Sequence, residues 1–474
     1  MVKFGTSGVR GLAADLTDAL CVAYTGAFLQ RAGHSGKVLI GRDRRASSPR
    51  IAAAVARAVQ VAGAEAFDCG VLPTPALALA AKRLGAPAIM VTGSHIPADR
   101  NGLKFYCGSG EITKADEAAI TAGLAGAPKA SSAGPPRMTP YPGARDTYVA
   151  RYTGAFAPDA LRGLRLGVYL HSSAARDVLP DILAALGAEV VPLGASDSFV
   201  AVDTEAIPPA TLAQLRDWAA RHRLDAILST DGDADRPLVT DAQGNQIAGD
   251  LIGPLTARWL GATAVAMPLT SNGCAERMDA FNDVRRCRIG SPFVIQAMQD
   301  LARDGAGRVA GYEPNGGFLL GFEARLQGGP LAPLMTRDSV LPMLAPLAEC
   351  AETGVTLKEL VAALPSRAKA THRVTDIPFE VSQYITRQLA AGDPGSLPLS
   401  LPLPESLGLG PVTAIDTLDG TRLTFSDGTS LHVRPSGNAP ELRIYVETDN
   451  PDRADAVLRA AVTELVKAIK SAAS

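Results

Sequence analysis

Short apolar runs that end in polar loops recur along this sequence, and they constrain the fold more than any other feature. Ala88–Val91 is such a run, and it leads directly into residues 92–97. Residues 226–229 lead in the same way into an aspartate-rich loop, and Val309–Tyr312 leads into a loop that begins with Glu313. Alternating with helical patterns, such runs predict buried parallel strands joined by helical crossovers. Ligands bind at the carboxyl ends of such strands, so these loops are the candidate functional sites.

Three successive units of this kind are predicted, followed by a different one. A chain of 474 residues is long enough for three or four domains. In the last hundred or so residues, Asp427-Gly428 predicts a hairpin turn, with a strand over 442–446 and a helix over 452–470. We therefore expect an α/β protein with mixed, largely parallel sheets, in domains 1–140, 141–249 and 250–368, and a C-terminal α+β domain, 369–474.

Composition narrows the class of protein and of partner. The 46 Lys and Arg residues nearly balance the 48 Asp and Glu residues, and no basic stripe alternates with aromatic residues, which argues against nucleic acid. No apolar run approaches the roughly 18 residues of a membrane span, so no membrane association is expected. The six cysteines lack metal-binding spacing and are expected to be buried thiols of a cytoplasmic protein.

The loop after Ala88–Val91 contains a serine suited to nucleophilic chemistry. Ser94 lies between Gly93, which lets the backbone bend sharply, and His95. Lys104 follows and can return to the same site as an acid, a base or a phosphate contact. An ordinary polar loop after a strand is the alternative interpretation.

Asp231, Asp233 and Asp235 form the sharpest motif. Three carboxylates at alternating positions of an extended loop would lie on one side and repel one another unless a cation bound between them. An EF-hand calcium loop fails, because its sixth position would be Gly and is Arg236, and its twelfth would be Glu and is Ala242. Ligands that are all oxygen favour Mg²⁺. A solvated acidic turn is the alternative.

Three further loops carry groups that suit a phosphorylated sugar. Residues 5–11 place Arg10 among three glycines, so that backbone N–H groups and a guanidinium can converge on a phosphate. Glu313 lies in a loop constrained by Pro and Gly and can accept hydrogen bonds from sugar hydroxyls. Residues 434–438 offer a guanidinium, a hydroxyl, an amide and accessible N–H groups. Each loop, taken alone, could be an ordinary turn.

Together and in this order, the five loops resemble those of the α-D-phosphohexomutase family, which includes phosphomannomutases and phosphoglucomutases. Residues 6–11 match its N-terminal motif, residues 92–104 its active-serine loop TASHNP…NGxK, and residues 231–236 its metal loop DGDxDR. Glu313 falls in its sugar loop GExSG, and residues 434–440 in its phosphate loop RxSGTxP. The resemblance covers essentially the whole chain. It implies three similar α/β domains and a fourth of different topology around a central cleft.

The resemblance also implies a role for each matching residue. Ser94 would be the phosphoserine and, with Asp231, Asp233 and Asp235, a ligand of Mg²⁺. His95 and Lys104 would assist proton transfer, while Arg10 and Arg236 would stabilise the moving phosphoryl group. The residues implied to bind substrate are Glu313, Asn315, Arg434, Ser436, Gly437 and Asn438.

Departures from the family pattern fall mostly outside the core chemistry. Gly93 and Ile96 replace the usual Ala and Asn of the serine loop, so this loop could be held differently. Asn315 replaces the usual Ser of the sugar loop, and Asn438 replaces Thr in the phosphate loop.

The expected reaction is a reversible, Mg²⁺-dependent isomerisation of hexose 1-phosphate and hexose 6-phosphate. Phosphorylated Ser94 would donate its phosphoryl group, and the resulting hexose 1,6-bisphosphate would turn over and return its other phosphate. The same bisphosphate is the expected activator. Mannose phosphate is the expected substrate, with glucose phosphate, or both, as the alternative.

Two other classes of protein remain open at this point. A metal-dependent phosphatase with a serine nucleophile would not require the second phosphate loop. A catalytically inactive sugar-phosphate-binding protein would not require Ser94, Lys104 and all three aspartates. The expected partners are small-molecule hexose phosphates alone, bound by a monomer or a homodimer.

Overall fold

The computed structural model describes residues 2–5, 8–126, 135–391, 407–436 and 440–473. The chain forms two compact units. Unit 1 comprises Met1–Ala266 and Gly290–Val361, and unit 2 comprises Met267–Ile289 and Ala362–Ser474. Among the described residues, no helix has both the length and the apolar character needed to cross a bilayer.

The first sheet of unit 1 joins a parallel core to an antiparallel flank. Its strands follow the order β1-β2-β6-β5-β3-β4-β8, with β7 paired to β6. The pairs β3–β4, β3–β5 and β4–β8 are parallel, whereas β6 is antiparallel to both β5 and β2. The elements are β1 (Lys3–Phe4), β2 (Val9–Leu12), α1 (Asp18–Ala32), β3 (Lys37–Arg42), α2 (Ser48–Val61), β4 (Glu65–Val71), α3 (Thr74–Leu84), β5 (Ala88–Val91), β6 (Arg100–Cys107), β7 (Gly110–Glu111), α4 (Lys114–Gly123), a short 3₁₀ helix (Leu124–Gly126), β8 (Thr139–Pro140) and α5 (Gly143–Thr153).

Periodic apolar side chains explain how these helices attach to the sheet. Ile51, Val55 and Val59 recur every four residues along α2, and all three side chains are fully buried. They pack in one cluster with strand residues such as Val38 and Ile89. Burying a side chain of this size contributes about 1.5–3 kcal/mol. The core therefore fixes the edge of the sheet at which the loops lie.

The second sheet of unit 1 repeats the arrangement. Its strand order is β10-β9-β11-β12-β13, in which β9 is parallel to β10 and β11, and β12 is antiparallel to β11 and β13. The helix predicted over 176–186 is shorter than expected. The elements are β9 (Arg165–His171), α6 (Leu179–Ala185), β10 (Glu189–Ala195), α7 (Pro209–His222), β11 (Ala226–Thr230), β12 (Pro237–Thr240) and β13 (Gln246–Ile247).

The third sheet again places antiparallel strands after parallel ones. β14 is parallel to β16, and β17 is antiparallel to β16 and to β20. The strand predicted over 286–289 begins and ends earlier, as β15 (Asp283–Cys287), and belongs to unit 2. The other elements are α8 (Gly249–Trp259), β14 (Ala264–Pro268), α9 (Ser291–Arg303), β16 (Val309–Tyr312), β17 (Phe318–Leu320), β18 (Ala324–Arg325), β19 (Pro330–Leu331), β20 (Leu334–Asp338), α10 (Leu341–Thr353) and α11 (Leu357–Ala362).

Each functional loop of unit 1 occupies the same place in its sheet. Residues 92–99 join β5 to β6, residues 231–236 join β11 to β12, and residues 313–317 join β16 to β17. In every case the first strand is the last parallel one and the second is its antiparallel neighbour. The mixed α/β class is confirmed. The antiparallel flank is more extensive than the sequence indicated, because the returning strands are buried on both faces and show no alternation.

Unit 2 contains the predicted α+β fold. Its sheet has the order β21-β25-β24-β23-β22 and is antiparallel throughout. The predicted hairpin around Asp427 is confirmed, with Arg422 opposite His432. The elements are a 3₁₀ helix (Gly273–Arg277), β21 (Ala368–Thr375), α12 (Phe379–Ala390), β22 (Val412–Asp416), β23 (Thr421–Phe425), β24 (Ser430–Pro435), β25 (Glu441–Thr448) and α13 (Pro451–Ala473).

Candidate active site

Ser94 lies at a strained point of the first loop, beside a carboxylate from the second. Its backbone φ is 54°, a left-handed conformation that is uncommon outside glycine. The side chain is fully buried, and its hydroxyl donates to Asp231 Oδ2 at 2.6 Å. The loops at residues 92–99 and 231–236 therefore meet at the serine oxygen. An ordinary polar loop does not describe this arrangement.

Arg45 fixes the backbone of the serine loop through hydrogen bonds. Its guanidinium donates to the carbonyl oxygens of Ser94 (2.9 Å) and Ile96 (2.6 Å), and it also contacts those of Pro97 and Arg100. Asp43 binds Arg45 Nε at 3.0 Å. One buried side chain thus donates to four backbone carbonyl groups.

Gly93 leaves the space that Arg45 occupies. A Cβ atom at position 93 would lie 2.7 Å from Arg45 Cζ and Nε, closer than van der Waals contact permits. The replacement of the usual alanine by Gly93 therefore has a local structural reason. Sequence reasoning did not identify Arg45, although a charged segment directly after the predicted strand at 38–41 was a signal for this edge of the sheet.

The three aspartates converge because their loop curls back on itself. Ala234 N–H donates to Asp231 O (3.3 Å), Asp231 N–H donates to Arg236 O (3.1 Å), and Ala234 has a φ of 58°. The extended loop expected from the sequence is wrong, because alternation alone does not bring the carboxylates together here. One ligand oxygen from each aspartate lies within 4.8 Å of the others, and all three residues are buried rather than solvated.

Two cationic side chains contact the aspartates from strands of the first and third sheets. Lys104, on β6, donates to Asp233 Oδ2 (2.5 Å) and to Asp235 Oδ2 (2.7 Å). Arg337, on β20, donates to Asp235 Oδ2 through Nη2 (2.8 Å) and through Nε (3.1 Å). Thr74, at the start of α3, donates to Asp233 Oδ2 at 2.6 Å. The Lys104 side chain thus lies beside the aspartates, and its role in the reaction stays a prediction.

The aspartate cluster fits a cation in spite of these partners. Asp233 Oδ1 and Asp235 Oδ1 are buried and accept no hydrogen bond from any described residue. Burial, Asp233 and Asp235 together raise the pKa of Asp231 well above its usual range. Burial opposes ionisation of Asp235 as well, but Arg337 and Lys104 outweigh it and lower its pKa. Bare carboxylate oxygens beside a carboxylate that resists ionisation match a site for a hard metal ion.

The remaining catalytic candidates lie beside this cluster. His95 Nδ1 is 3.4 Å from Ser94 Oγ, and burial, Arg236 and Arg10 lower the pKa of His95 to about 2. Burial and the neighbouring Arg236 lower the pKa of Arg10 to about 10. The Nε atoms of Arg10 and Arg236 are buried and have no hydrogen-bond partner among the described residues. Both guanidinium groups thus retain donors for an anion.

Glu313 belongs to the same charged cluster and not to an exposed turn. It is buried, and its Oε1 accepts from Arg337 Nη1 at 3.2 Å. Arg337 therefore joins the sugar-loop carboxylate to the metal-loop carboxylate Asp235. The Asn315 side chain accepts from Gly317 N–H (2.9 Å), so it braces its own loop. Arg337 was missed in the sequence, where its position inside the polar triplet Thr336-Arg337-Asp338 was the available signal.

In unit 2, the described part of the phosphate loop is built on β24. Arg434 Nε donates to Asp419 Oδ1 (3.2 Å), and Ser436 N–H donates to Glu441 O (2.9 Å). Gly437 and Asn438, which were also predicted to bind substrate, lie outside the described residues.

Comparison with known proteins agrees with this site. Family models described as phosphoglucomutase/phosphomannomutase alpha/beta/alpha domains I, II and III match residues 1–130, 146–244 and 243–368, and the model of the C-terminal domain matches residues 355–465. The chain thus belongs to the phosphoglucomutase/phosphomannomutase family, the α-D-phosphohexomutases. It is an isomerase of the phosphohexomutase class.

Individual relatives cover nearly the whole chain. A phosphomannomutase of Sinorhizobium fredii (strain NBRC 101917 / NGR234) is 45% identical over 466 residues, covering 96% of this chain and 97% of the relative. A phosphomannomutase of Salmonella muenchen is 40% identical, covering 96% of this chain and 93% of the relative. A phosphoglucomutase/phosphomannomutase family structure from Burkholderia thailandensis shares the fold, with a TM-score of 0.75, 20% identity and coverage of 98% of this chain and 97% of that one.

Proposed function

We propose that this protein is a phosphomannomutase that interconverts mannose 1-phosphate and mannose 6-phosphate through a phosphorylated Ser94. One observation carries the proposal: the Ser94 hydroxyl lies 2.6 Å from Asp231 within a buried cluster of carboxylates and cations. A buried serine among carboxylates and cations is suited to carry a phosphoryl group, because the surrounding charges can bind a metal ion and balance the phosphate.

The cofactor of this reaction would be Mg²⁺, held by Asp231, Asp233, Asp235 and the phosphorylated Ser94. When bound, it would supply charge neutralisation for the phosphoryl group. Asp233 Oδ1 and Asp235 Oδ1, which accept no hydrogen bond from the described residues, support this assignment.

The chain's own residues would divide the remaining work. The Ser94–O–P bond breaks as the sugar hydroxyl forms its bond to phosphorus, and the proton that this hydroxyl loses ends on Ser94 Oγ, which leaves as a free hydroxyl. Lys104, which contacts the carboxylates of Asp233 and Asp235, would stabilise the negative charge of the transferred group. Arg10 and Arg236 would bind the phosphoryl oxygens through their free donors. His95 stays neutral near physiological pH, so it can exchange a hydrogen bond with Ser94 and assist the return of the proton.

Charge counting supports this division. With all its carboxylates ionised, as metal binding would require, the cluster would contain four cations and four carboxylates, which cancel: Arg10, Lys104, Arg236 and Arg337 against Asp231, Asp233, Asp235 and Glu313. A phosphoserine adds roughly −1.5 to −2 charges. A divalent cation would offset that charge, so the phosphorylated, metal-bound site would again be close to neutral.

The substrate assignment rests on the relatives and on the loops. Both phosphomannomutases reported above cover more than nine-tenths of the chain. Glu313 would accept hydrogen bonds from sugar hydroxyls, and Arg434 and Ser436 would bind the phosphate that does not react. The bisphosphate intermediate would return its other phosphate to Ser94 and would also activate the unphosphorylated enzyme.

Intact-mass spectrometry tests the phosphoserine. Exposure to mannose 1,6-bisphosphate should add one phosphoryl group, about 80 Da, and addition of mannose 1-phosphate should remove it. Ser94→Ala should bind substrate and fail in both respects. Release of inorganic phosphate as the main product would favour a phosphatase, and isomerisation by the alanine variant would refute the mechanism.

A comparison of kcat/KM for mannose 1-phosphate, glucose 1-phosphate and glucosamine 1-phosphate tests the substrate. We expect mannose 1-phosphate to be the best of the three. Mannose and glucose differ only at C2, and one lost hydrogen bond costs only about 1–3 kcal/mol. A higher value for glucose 1-phosphate would make the enzyme a phosphoglucomutase while leaving the phosphoserine mechanism intact.

A further inference from the structure

Unit 1 contains a cavity that the proposed reaction does not use. It has a volume of about 560 Å³ and lies between the second half of α3, helix α5 and residues 330–333. We call it the α3–α5 pocket. None of the residues assigned above to the serine, metal or sugar loops lines it.

The charged residues that line the α3–α5 pocket are all cations. They are Lys82, Arg83 and Arg151, and there is no carboxylate among the described lining residues. Nε and Nη2 of Arg151 are buried and have no hydrogen-bond partner among the described residues. Buried donors without acceptors are unfavourable, so the Arg151 guanidinium would gain from turning toward an anion in the pocket.

A second cation beside Arg151 strengthens the case for an anion. Lys82 Nζ donates to Pro333 O at 3.0 Å, which leaves two of its three hydrogens available. Burial, together with the charge of Arg151, lowers the pKa of Lys82. Mutual repulsion of the two cations would be relieved by a negatively charged ligand between them.

Apolar side chains line the α3–α5 pocket beside the cations. They are Leu79, Ala150, Leu331, Ala332, Pro330 and Pro333. The volume falls within the roughly 300–1,000 Å³ of small-molecule sites, so a phosphate ion alone would leave most of the space unfilled. A ligand that joins a phosphate to a flat, weakly polar group matches a lining of cations and apolar side chains.

We propose that the α3–α5 pocket binds an organic phosphate of nucleotide type, with its phosphate on Arg151 and Lys82 and its ring against Leu79 and Leu331. This ligand differs from a hexose phosphate, whose sugar is covered with hydroxyls and would desolvate poorly against an apolar wall. The proposal is independent of the reaction at Ser94.

Isothermal titration calorimetry with ADP as the probe tests the α3–α5 pocket. The titration uses the full-length enzyme with mannose 6-phosphate present at saturation, so that the catalytic loops are occupied. We expect ADP to bind, adenosine not to bind, and inorganic phosphate to bind at least tenfold more weakly than ADP. Absence of ADP binding at millimolar concentration, or phosphate binding as tightly as ADP, would overturn the proposal.

Matched variants locate the binding. The double variant Lys82→Gln/Arg151→Gln should weaken ADP binding at least tenfold while retaining mutase activity. Ala332→Glu, at an exposed lining position, should do the same by placing a carboxylate among the cations. Arg145→Gln is the control, because Arg145 lies on the same helix but pairs with Asp181 outside the pocket. Unchanged ADP affinity in both pocket variants would show that ADP binds elsewhere and refute the assignment.

Discussion

At the scale of single residues, the site depends on side chains that never touch the reacting atoms. Arg45 is the clearest example. Its guanidinium donates to three carbonyl groups of the serine loop and to that of Arg100 at the start of β6. Its Cζ atom lies 3.8 Å from the centroid of the Phe199 ring. Ser94 keeps its left-handed backbone because this network over-determines the loop. The position of the Ser94 nucleophile therefore depends on Arg45, a residue that does not itself react.

Arg45→Lys should weaken both stability and catalysis. An ammonium has three donors without the planar fork of arginine, so at least two of the five acceptors around Arg45 (four carbonyl groups and the Asp43 carboxylate) lose this donor. We expect the free energy of unfolding to fall by about 2–4 kcal/mol, and kcat to fall by up to about 100-fold with a smaller change in KM. Urea denaturation and steady-state kinetics measure both.

Arg57→Lys is the matched control. Arg57 pairs with the half-exposed Asp18 at the surface, so its replacement should change the free energy of unfolding by less than about 1 kcal/mol. If Arg45→Lys behaved like this control, Arg45 would not position Ser94.

Metal removal tests the aspartate cluster. Excess chelator should abolish turnover and Mg²⁺ should restore it, because the carboxylates of Asp231, Asp233 and Asp235 lie within 4.8 Å of one another. Asp233→Asn should lower kcat/KM by at least about 100-fold while the circular dichroism spectrum stays unchanged. Full activity in chelator, with no metal found by elemental analysis, would exclude the metal from the reaction.

At the scale of elements, the sequence predicted where the functional loops are but not how they close. The runs before Ser94, Asp231 and Glu313 were identified because a buried parallel strand is a continuous apolar run. The returning strands were not, since β12 and β17 are short and buried on both faces. Arg337 was not identified either. Its strand, β20, reaches the site by pairing with β17, and spacing along the chain does not reveal such pairing.

Helix α3 contributes to the metal cluster through its first residue. Thr74 N–H donates to Asp233 O (2.9 Å) and its hydroxyl to Asp233 Oδ2 (2.6 Å), so the helix start orients a ligand. Thr74→Val removes only the hydroxyl contact. We expect it to weaken Mg²⁺ activation by about 10-fold or more, whereas Thr74→Ser should retain the native value. Equal Mg²⁺ dependence in the two variants would show that this hydrogen bond has no effect on the metal.

At the scale of the whole molecule, the sequence predicted four domains, whereas contacts divide the chain into two compact units. The side chains of the site in unit 1 come from three different sheets: Ser94 follows a strand of the first, Asp231 follows a strand of the second, and Arg337 lies on a strand of the third. Contacts of this kind cannot be inferred from apolar periodicity, which reports one element at a time.

The cysteines give a prediction that covers the whole chain. All six are thiols, and burial raises the pKa of Cys21 to about 11 and those of Cys69 and Cys350 to about 12. Because the thiolate is the reactive form, iodoacetamide at pH 8 should label at most the half-buried Cys107 in the native enzyme. Mass spectrometry should find six labels after denaturation. Labelling of several cysteines under native conditions would contradict the burial seen in the structure.

The pinned ends of the three loops have a consequence for how such a chain can vary. Most surface loops accept an inserted residue at little cost, since closure entropy grows only slowly with length. Residues 92–99, 231–236 and 313–317 are each fixed at both ends by paired strands, and contacts such as those of Arg45 and Thr74 fix points between the ends. One added residue would have to displace either a reacting group or a strand. The lengths of these loops are therefore as much a part of the active site as the side chains they carry, and changes in chain length should be tolerated only elsewhere.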